Sequence, residues 1–457
     1  MSQSFAVIVD GTQDINGVEQ ESICIRFVND DLEPSEEFVG FYAVDDTKGS
    51  ALAGCVKDVL LHLQLPIENL RGQTYDGASN MSRMYSGCQA TIAQSKPLAV
   101  YVHCAAHCCS LVASAACSSS DIASSSIQVV HDFGVLCSAS GKFKSLFRNI
   151  SSSAEDGPVR NIKPLCPTRW LIRLPAIQAM LQQYGTILEA LQEASHGDCS
   201  SEIKVRVTGL HYKFQDGSTL MCLVMAKRII TPLECLNKAL QAKSATVASM
   251  LEATLQVKEQ LIALRTEEQL EKIMREIEET IAKLELDPMR LPRNKQPPKR
   301  LSGPALAYHP TTLSQYFMAE FYKILDICIQ QLSWRLLESP GIQRYKDPES
   351  ILITGRVSNF VQQYPELACS TFQAELDLFR LLPAFRHENS SMNLGTCVEA
   401  LRQMAAATRS MFPTVEALVR LLLVNPASSA SAERSFSNRR RLKSYVRVQH
   451  LWTTATQ

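Results

Sequence analysis

Apolar residues recur at two different periods along this chain. The stretches FAVIVD (5 to 10), SICIRFV (22 to 28) and EFVGFYAV (37 to 44) are β-branched and aromatic runs parted by polar, Gly- or Pro-containing segments, which predicts three consecutive strands. From Ser50 to Leu65 the spacing becomes helical, with Leu52, Val56, Val59 and Leu60 on one face. A short strand ending at Asp76 follows, then a helix, then a strand at 99 to 104, AVYVHC, and a small-residue helix, AAHCCSLVASAACSSS. This order predicts a mixed sheet with helices packed on its faces.

After Ser118 the strand pattern stops. SSSDIASSS reads as a Ser-rich connector, the segment IQVVHDFGVLCSASGKFKSLFRNI as helix with a Gly break, and SSSAEDGPVRNIKPLCPTRW as a loop. From Trp170 to about Leu286 nearly everything reads as helix. Residues 250 to 286 are rich in charge and helix formers, which predicts a long exposed helix or a helical hairpin. A basic, Pro-containing linker spans 287 to 304, and helical segments resume beyond it up to TVEALVRLLLVNP. No internal repeat of fixed period is visible.

Composition narrows the classes. The 457 residues, 46% of them hydrophobic, are enough for a large core and for two to four domains at roughly 150 residues each. Basic and acidic residues balance at 46 each, so the chain as a whole has no electrostatic pull toward DNA or membrane, and a polyanion must be met by local patches. The start, MSQSFAVIVDGTQD, lacks the basic and apolar regions of a signal peptide, and no apolar run reaches the roughly 18 to 20 residues that span a bilayer. A soluble intracellular chain is expected. Fifteen cysteines without regular spacing fit free thiols in a reducing compartment.

Three acids stand out. Asp10 is expected to end the first strand, Asp76 ends the strand before YDGASN, and Glu433 lies in NPASSASAERSFSNRRRLKSY. Carboxylates at neighbouring strand ends repel one another unless a cation offsets the repulsion, and hard oxygen ligands suit Mg²⁺ or Mn²⁺. Spacing alone also allows turn or capping carboxylates. Beside Asp76, Gly77 and Ala78 are expected to leave room for a metal and a phosphate. Around Glu433, Pro426 and a Ser428 or Ser429 N-cap predict a new helix, with Ala432 and Phe436 facing inward and Glu433 at the edge of that face. A salt-bridged surface glutamate, seven residues before Arg440, is the plainer reading.

Two further motifs carry chemistry. In HCAAHCC, Cys104, His107 and Cys108 share a helical face at zinc-ligand spacing, although no second pair completes a tetrahedral site, and a histidine packed on the sheet is the alternative. In CPTRWLIRL, Arg169 and Trp170 offer a phosphate ligand and a stacking surface, or a core tryptophan beside an exposed arginine. Basic stretches at 293 to 300 and 434 to 443 could meet phosphates or be solvated surface.

Taken in order, RGQTYDGASNMS, then YVHCAAHCCSLV, then NPASSASAERSFSNRRRLKSY, the chain resembles the hAT superfamily of DNA transposases, in the branch that includes the zinc finger MYM-type proteins. The resemblance covers nearly the whole chain. It implies an α/β fold: an RNase H-like core, a mixed five-stranded sheet flanked by helices, interrupted by a large all-helical insertion domain. Residues 1 to 165 would be the first part of the core, 166 to 400 the insertion, and 401 to 457 the last core helices with a dimerisation segment. It places the catalytic, metal-binding triad at Asp10, Asp76 and Glu433, with Mg²⁺ or Mn²⁺ as cofactor, DNA as substrate and the nucleus as location. Arg169 and Trp170 match an Arg-Trp pair that handles the cleaved DNA end, and Cys104 and His107 a Cys-x-x-His motif that supports the site from outside the metal's first shell.

Three departures from the family pattern qualify the expectation. Only nine residues precede Asp10, where relatives carry zinc-binding DNA-recognition modules; GTQD follows Asp10 in place of a Thr- or Ser-rich run; and the ending VRVQHLWTTATQ looks truncated or altered. The apolar stretch holding Leu418, Leu421, Leu422 and Val424 is expected to supply a surface for self-association. Two functions follow: an active strand-transfer enzyme, or a domesticated and catalytically silent nuclear protein that acts by dimerising. Neither a membrane nor a small-molecule substrate is expected.

Overall fold

A computed structural model describes residues 4–14, 17–153, 173–197, 200–292, 310–385 and 392–439. The chain divides into two compact units, one made of 1–108, 237–255 and 334–457, the other of 109–236 and 256–333. The first unit holds the sheet. Its strands are β1 (Phe5–Gln13), β2 (Glu19–Val28), β3 (Pro34–Val44), β4 (Leu70–Tyr75) and β5 (Val100–His103), in the spatial order β3-β2-β1-β4-β5. β1, β2 and β3 form an antiparallel meander, while β4 runs parallel to β1 and β5 parallel to β4.

β1 lies between β2 and β4 and is apolar at every position from Phe5 to Val9 because both its faces are covered. On one face Val7, Val9, Ile23 and Ile25 pack with Leu52, Val56, Val59 and Leu60 of helix α1 (Gly49–His62), the four residues the helical spacing picks out. On the other face Ile8 and Cys24 meet Ala432. That alanine belongs to a helix at 430–439, preceded by the helix Pro413–Val424.

β1 does not stop at Asp10. The hairpin stays paired through Asp10↔Ser22, Gly11↔Glu21, Thr12↔Gln20 and Gln13↔Glu19, so Asp10 sits within a strand whose last residues are exposed and polar. The 120s are not a connector either. Ser120 caps a helix, Asp121–Ala139, accepting a hydrogen bond from the Ala123 N–H at 3.3 Å, and Ser126 is buried within it. Leu418, Leu421, Leu422 and Val424 are buried within the first unit, so that stretch is core and not an exposed apolar surface.

The described residues of the second unit are mostly helical. Phe133 meets Phe143, Phe147 and Phe214 edge-on, at centroid distances of 5.9, 5.5 and 5.9 Å. The Tyr184 hydroxyl donates to the Phe214 carbonyl at 2.8 Å. The charged region 250 to 286 falls into two helices, Val247–Leu264 and Glu267–Lys283. They part at Arg265 and Thr266: Thr266 caps the second helix, and Arg265 forks onto Asp326 with bonds of 2.6 and 3.0 Å while covering the Tyr322 ring.

One buried cation ties the first unit's distant segments together. Arg26 on β2 donates to Glu36 of β3 at 2.6 Å, to the Leu423 carbonyl at 3.2 Å, and to the Lys243 and Ala245 carbonyls at 3.3 and 2.9 Å. Its side chain is 1% exposed and that of Glu36 6%. Replacing Arg26 with Met leaves Glu36 uncompensated, which is expected to cost about 3 to 5 kcal/mol in urea unfolding. Adding Glu36→Gln is expected to return more than half of that loss.

Candidate functional site

The strand register brings two of the three acids together. Ile8 and Thr74 are the last aligned pair between β1 and β4, and Asp10 and Asp76 each lie two residues further in the same direction. Asp76 follows the last residue of β4, so the register leads both aspartates toward the same end of the two central strands. Both are half-buried. Asp76 closes a tight turn: its Oδ1 accepts the Ala78 N–H at 3.1 Å, and its carbonyl accepts the Tyr101 hydroxyl at 3.3 Å. That turn role and a ligand role can coexist, because a carboxylate has further lone pairs.

Glu433 arrives on the helix 430–439 over the same sheet face. Ala432 packs on Ile8 and Cys24, Phe436 on Phe41 at 5.0 Å, and the Ser435 and Ser22 hydroxyls are 2.7 Å apart, Ser22 being the partner of Asp10 across β2. Glu433 itself is exposed, and its N–H donates to the Ser429 carbonyl at 3.1 Å. Among the described residues, no group of three or more His, Cys, Asp or Glu side chains is arranged to hold a metal ion. The three acids are therefore near neighbours in topology, without a closed ligand cage.

Cys104 joins the two sides of this site. Its N–H donates to the Tyr75 carbonyl at 2.8 Å, one residue before Asp76, and its Sγ accepts the Ser429 N–H at 3.3 Å, one turn before Glu433. Burial pushes its thiol pKa up, and the nearby charge of Asp10 adds to the rise. Engaged in this way, the thiol clamps the end of β4 to the root of the helix at 430–439. His107 stacks on His103 at 5.5 Å, extending a ladder through Tyr101 to Tyr75.

His103 and Glu21 complete the surroundings, and neither is marked by the sequence motifs. The space expected beside Gly77 is filled: a Cβ there would come within 2.5 Å of the His103 ring. Burial, with His107 and Arg335 nearby, lowers the His103 pKa to about 4, so it is neutral at physiological pH. Glu21, on β2 opposite Gly11, is only 5% exposed. Its pKa is raised to about 7 by burial first, then by the charges of Asp76 and Glu19.

Other candidate residues fall elsewhere. Arg169, Trp170 and the basic stretch at 293 to 300 lie outside the described residues, as does the chain beyond Arg439. Two arginines of the C-terminal basic stretch are engaged within the first unit. Arg434 donates to the Gln241 carbonyl at 2.6 Å and to Ser431, and Arg439 donates to Gln20 at 3.2 Å while covering the Phe41 ring. No helix among the described residues is long and apolar enough to cross a membrane.

Comparison with known proteins matches residues 1–87 to a family model described as the ZMYM1/FAM200, RNase-like domain. That span contains β1 to β4 and both aspartates. Over 98% of its length the chain is similar to the mouse protein named 52 kDa repressor of the inhibitor of the protein kinase, at 24% identity, and to the human protein of that name, at 23%. It spans 60% of the length of each of these relatives. The chain is thus similar over nearly its whole length to these two proteins, and its first 87 residues match the RNase-like domain model.

The buried Glu21 makes stability depend on pH. Between the ordinary carboxylate value near 4.5 and about 7, the folded chain holds a proton that the unfolded chain has released, so stability falls as pH rises through this window. The full loss is about 3 kcal/mol above pH 7. Chemical denaturation at pH 5 and pH 8 is expected to show this loss in the wild type, and Glu21→Gln is expected to remove most of it.

Proposed function

We propose that this chain is a transposase-like protein with an RNase H-like core of the hAT type, in which Asp10, Asp76 and Glu433 form the acidic set for metal-dependent DNA strand cleavage and transfer. The observation that supports the reading is the parallel pairing of β1 with β4, which ends at Ile8 and Thr74, two residues before each aspartate, with the helix at 430–439 that carries Glu433 packing Ala432 on the same sheet. The strand order β3-β2-β1-β4-β5 and the match of residues 1–87 to an RNase-like domain support it. In this reading residues 166 to 400 form the helical insertion domain.

The donor set is all carboxylate oxygen, the chemistry that a hard divalent cation prefers, although the three groups form no closed cage. Mg²⁺ or Mn²⁺, when bound, supplies an activated water and neutralises charge on the leaving oxygen. The protein's own part is positional. Asp10 is held by its pairing with Ser22 of β2, Asp76 by its turn and the Tyr101 hydroxyl, and Glu433 by the Cys104 to Ser429 clamp at the root of its helix. Arg169 and Trp170 are assigned to the cleaved DNA end, as phosphate ligand and stacking surface. DNA as partner, self-association through the C-terminal segment and nuclear residence belong to the same proposal.

A second reading keeps the fold without the chemistry. It is favoured by the exposed position of Glu433 and by relatives whose name is that of a repressor. The chain would then act as a domesticated, silent interaction protein. Nicking and strand transfer on plasmid DNA with Mn²⁺ separates the two. The wild type is expected to cleave and Asp76→Ala to lose about 100-fold or more, the scale seen when a group stabilising transition-state charge is removed. Equal, background cleavage by both would leave the silent reading.

A further inference from the structure

The sheet ends at β3, and this edge strand carries an aromatic side chain that its packing does not hide: Phe38 is 48% exposed. Its placement comes from a bulge. Cys24 of β2 pairs with Phe38 and Ile23 with Gly40, so Val39 is an extra residue in β3. Without it Phe38 and Phe41, three positions apart, would point to opposite faces. With it both stand on the face covered by the helix 430–439, their ring centroids 4.8 Å apart. Phe41 meets Phe436 of that helix at 5.0 Å, and the Arg439 guanidinium lies over the Phe41 ring, 4.8 Å from its centroid. Three rings thus form a row, with Phe38 open to solvent at its outer end and a cation over its middle.

The row is aligned with Asp10. Ser22 pairs with Asp10 on one side and with Phe41 on the other, so Asp10 and Phe41 share one register row, two strand spacings or roughly 10 Å apart. Directly opposed residues point to one face, and the Ser22 hydroxyl, 2.7 Å from that of Ser435, fixes it as the helix's side. The charge on this face favours an anion. Arg439 donates to Gln20 Oε1, and Arg434 to the Gln241 carbonyl and the Ser431 hydroxyl, all neutral oxygens that leave both charges uncancelled. Of the β3 carboxylates, Glu36 is taken by Arg26 and Ser431, and Glu37, paired with Ile25, belongs to the opposite face. Glu433, the exposed acid of the helix, belongs to the acidic set proposed above. A flat ring open to solvent, with cations beside it, complements an unpaired nucleic-acid strand, which offers bases to stack and phosphates between them. An apolar protein surface offers the arginines nothing.

We propose that Phe38, held in place by Phe41 and Phe436, is a stacking platform for an unpaired DNA strand, with Arg439 on its phosphate backbone. The platform rests on the DNA-handling reading above and gives it a substrate class: bases out of the duplex, at the β3 edge of the row that contains Asp10. The bulge at Val39 is then a working part of the surface, since it turns Phe38 onto the same face as the cation.

Fluorescence anisotropy of a labelled oligothymidine added to the full chain, without divalent metal so that no cleavage intervenes, tests this. The wild type is expected to bind the oligonucleotide more tightly than a blunt duplex of the same length. Phe38→Ala and Phe38→Leu are each expected to weaken binding about tenfold, the scale of one lost base stack, leucine keeping apolar area but no flat ring, while Phe38→Trp keeps wild-type affinity or better. Arg439→Gln is expected to lower the slope of log affinity against log salt by about 0.7, one phosphate contact, whereas the Phe38 variants leave that slope unchanged. Wild-type affinity in Phe38→Ala or Phe38→Leu overturns the platform and leaves DNA as partner standing, and so does a wild type that prefers the duplex. A wild type that binds neither overturns both. Self-association on gel filtration that Phe38→Ala abolishes, with DNA binding unchanged, makes this face a protein interface instead. Circular dichroism identifies any variant that fails to fold, and the others then decide.

Discussion

The sheet-bearing unit depends on a charge placed where water cannot reach it. Arg26 is fully buried, yet each bond it makes ends on a different part of the chain: a neighbouring strand, the end of the helix Pro413–Val424, and the segment that returns at residues 243 to 245. Arginine suits this because its donors are fixed in a plane and can serve several carbonyls at once, whereas a lysine offers one compact charge. The carbonyls it satisfies are those that helix ends and turns leave open. Glu36 shares in the arrangement, accepting from Arg26 through one oxygen and from Ser431, at the start of the helix bearing Glu433, through the other. Fold assembly and site assembly thus meet at one ion pair.

Much of the sheet was readable from pattern alone. FAVIVD is apolar from Phe5 to Val9 because both sheet faces are covered, SICIRFV reads as strand through its β-branched and aromatic residues, and the helical face of α1 contains the buried residues that its spacing names. The end of β1 was not readable, because residues 11 to 13 are polar and exposed and only pairing with β2 keeps them extended. The serines near 120 mislead for a related reason. Serine marks loops and helix caps alike, and here Ser120 caps while Ser126 is buried. The apolar run near 420 shows that hydrophobicity marks burial without saying what covers it.

The site divides along the same line. Asp10 and Asp76 stand out as acids next to strand runs, and their adjacency follows once β4 is known to pair with β1. Glu433 was readable only through its local motif, since nothing in periodicity links it to the sheet. Glu21 and His103 escaped notice because their importance comes from two glycines, Gly11 and Gly77, whose missing side chains make room for them. In a sequence a glycine reads as a turn or a weak strand position; only the register shows what occupies the space it leaves.

The clamp at Cys104 also has a consequence in time. Residues 429 to 433 are made more than 300 positions after Cys104, so at ordinary synthesis rates the strands carrying the two aspartates wait roughly 20 to 70 s for the segment that covers them. Until then Ile8 and Cys24 lie open on one side of the sheet. On the ribosome, that side of the sheet is covered only once the helix at 430–439 has been made.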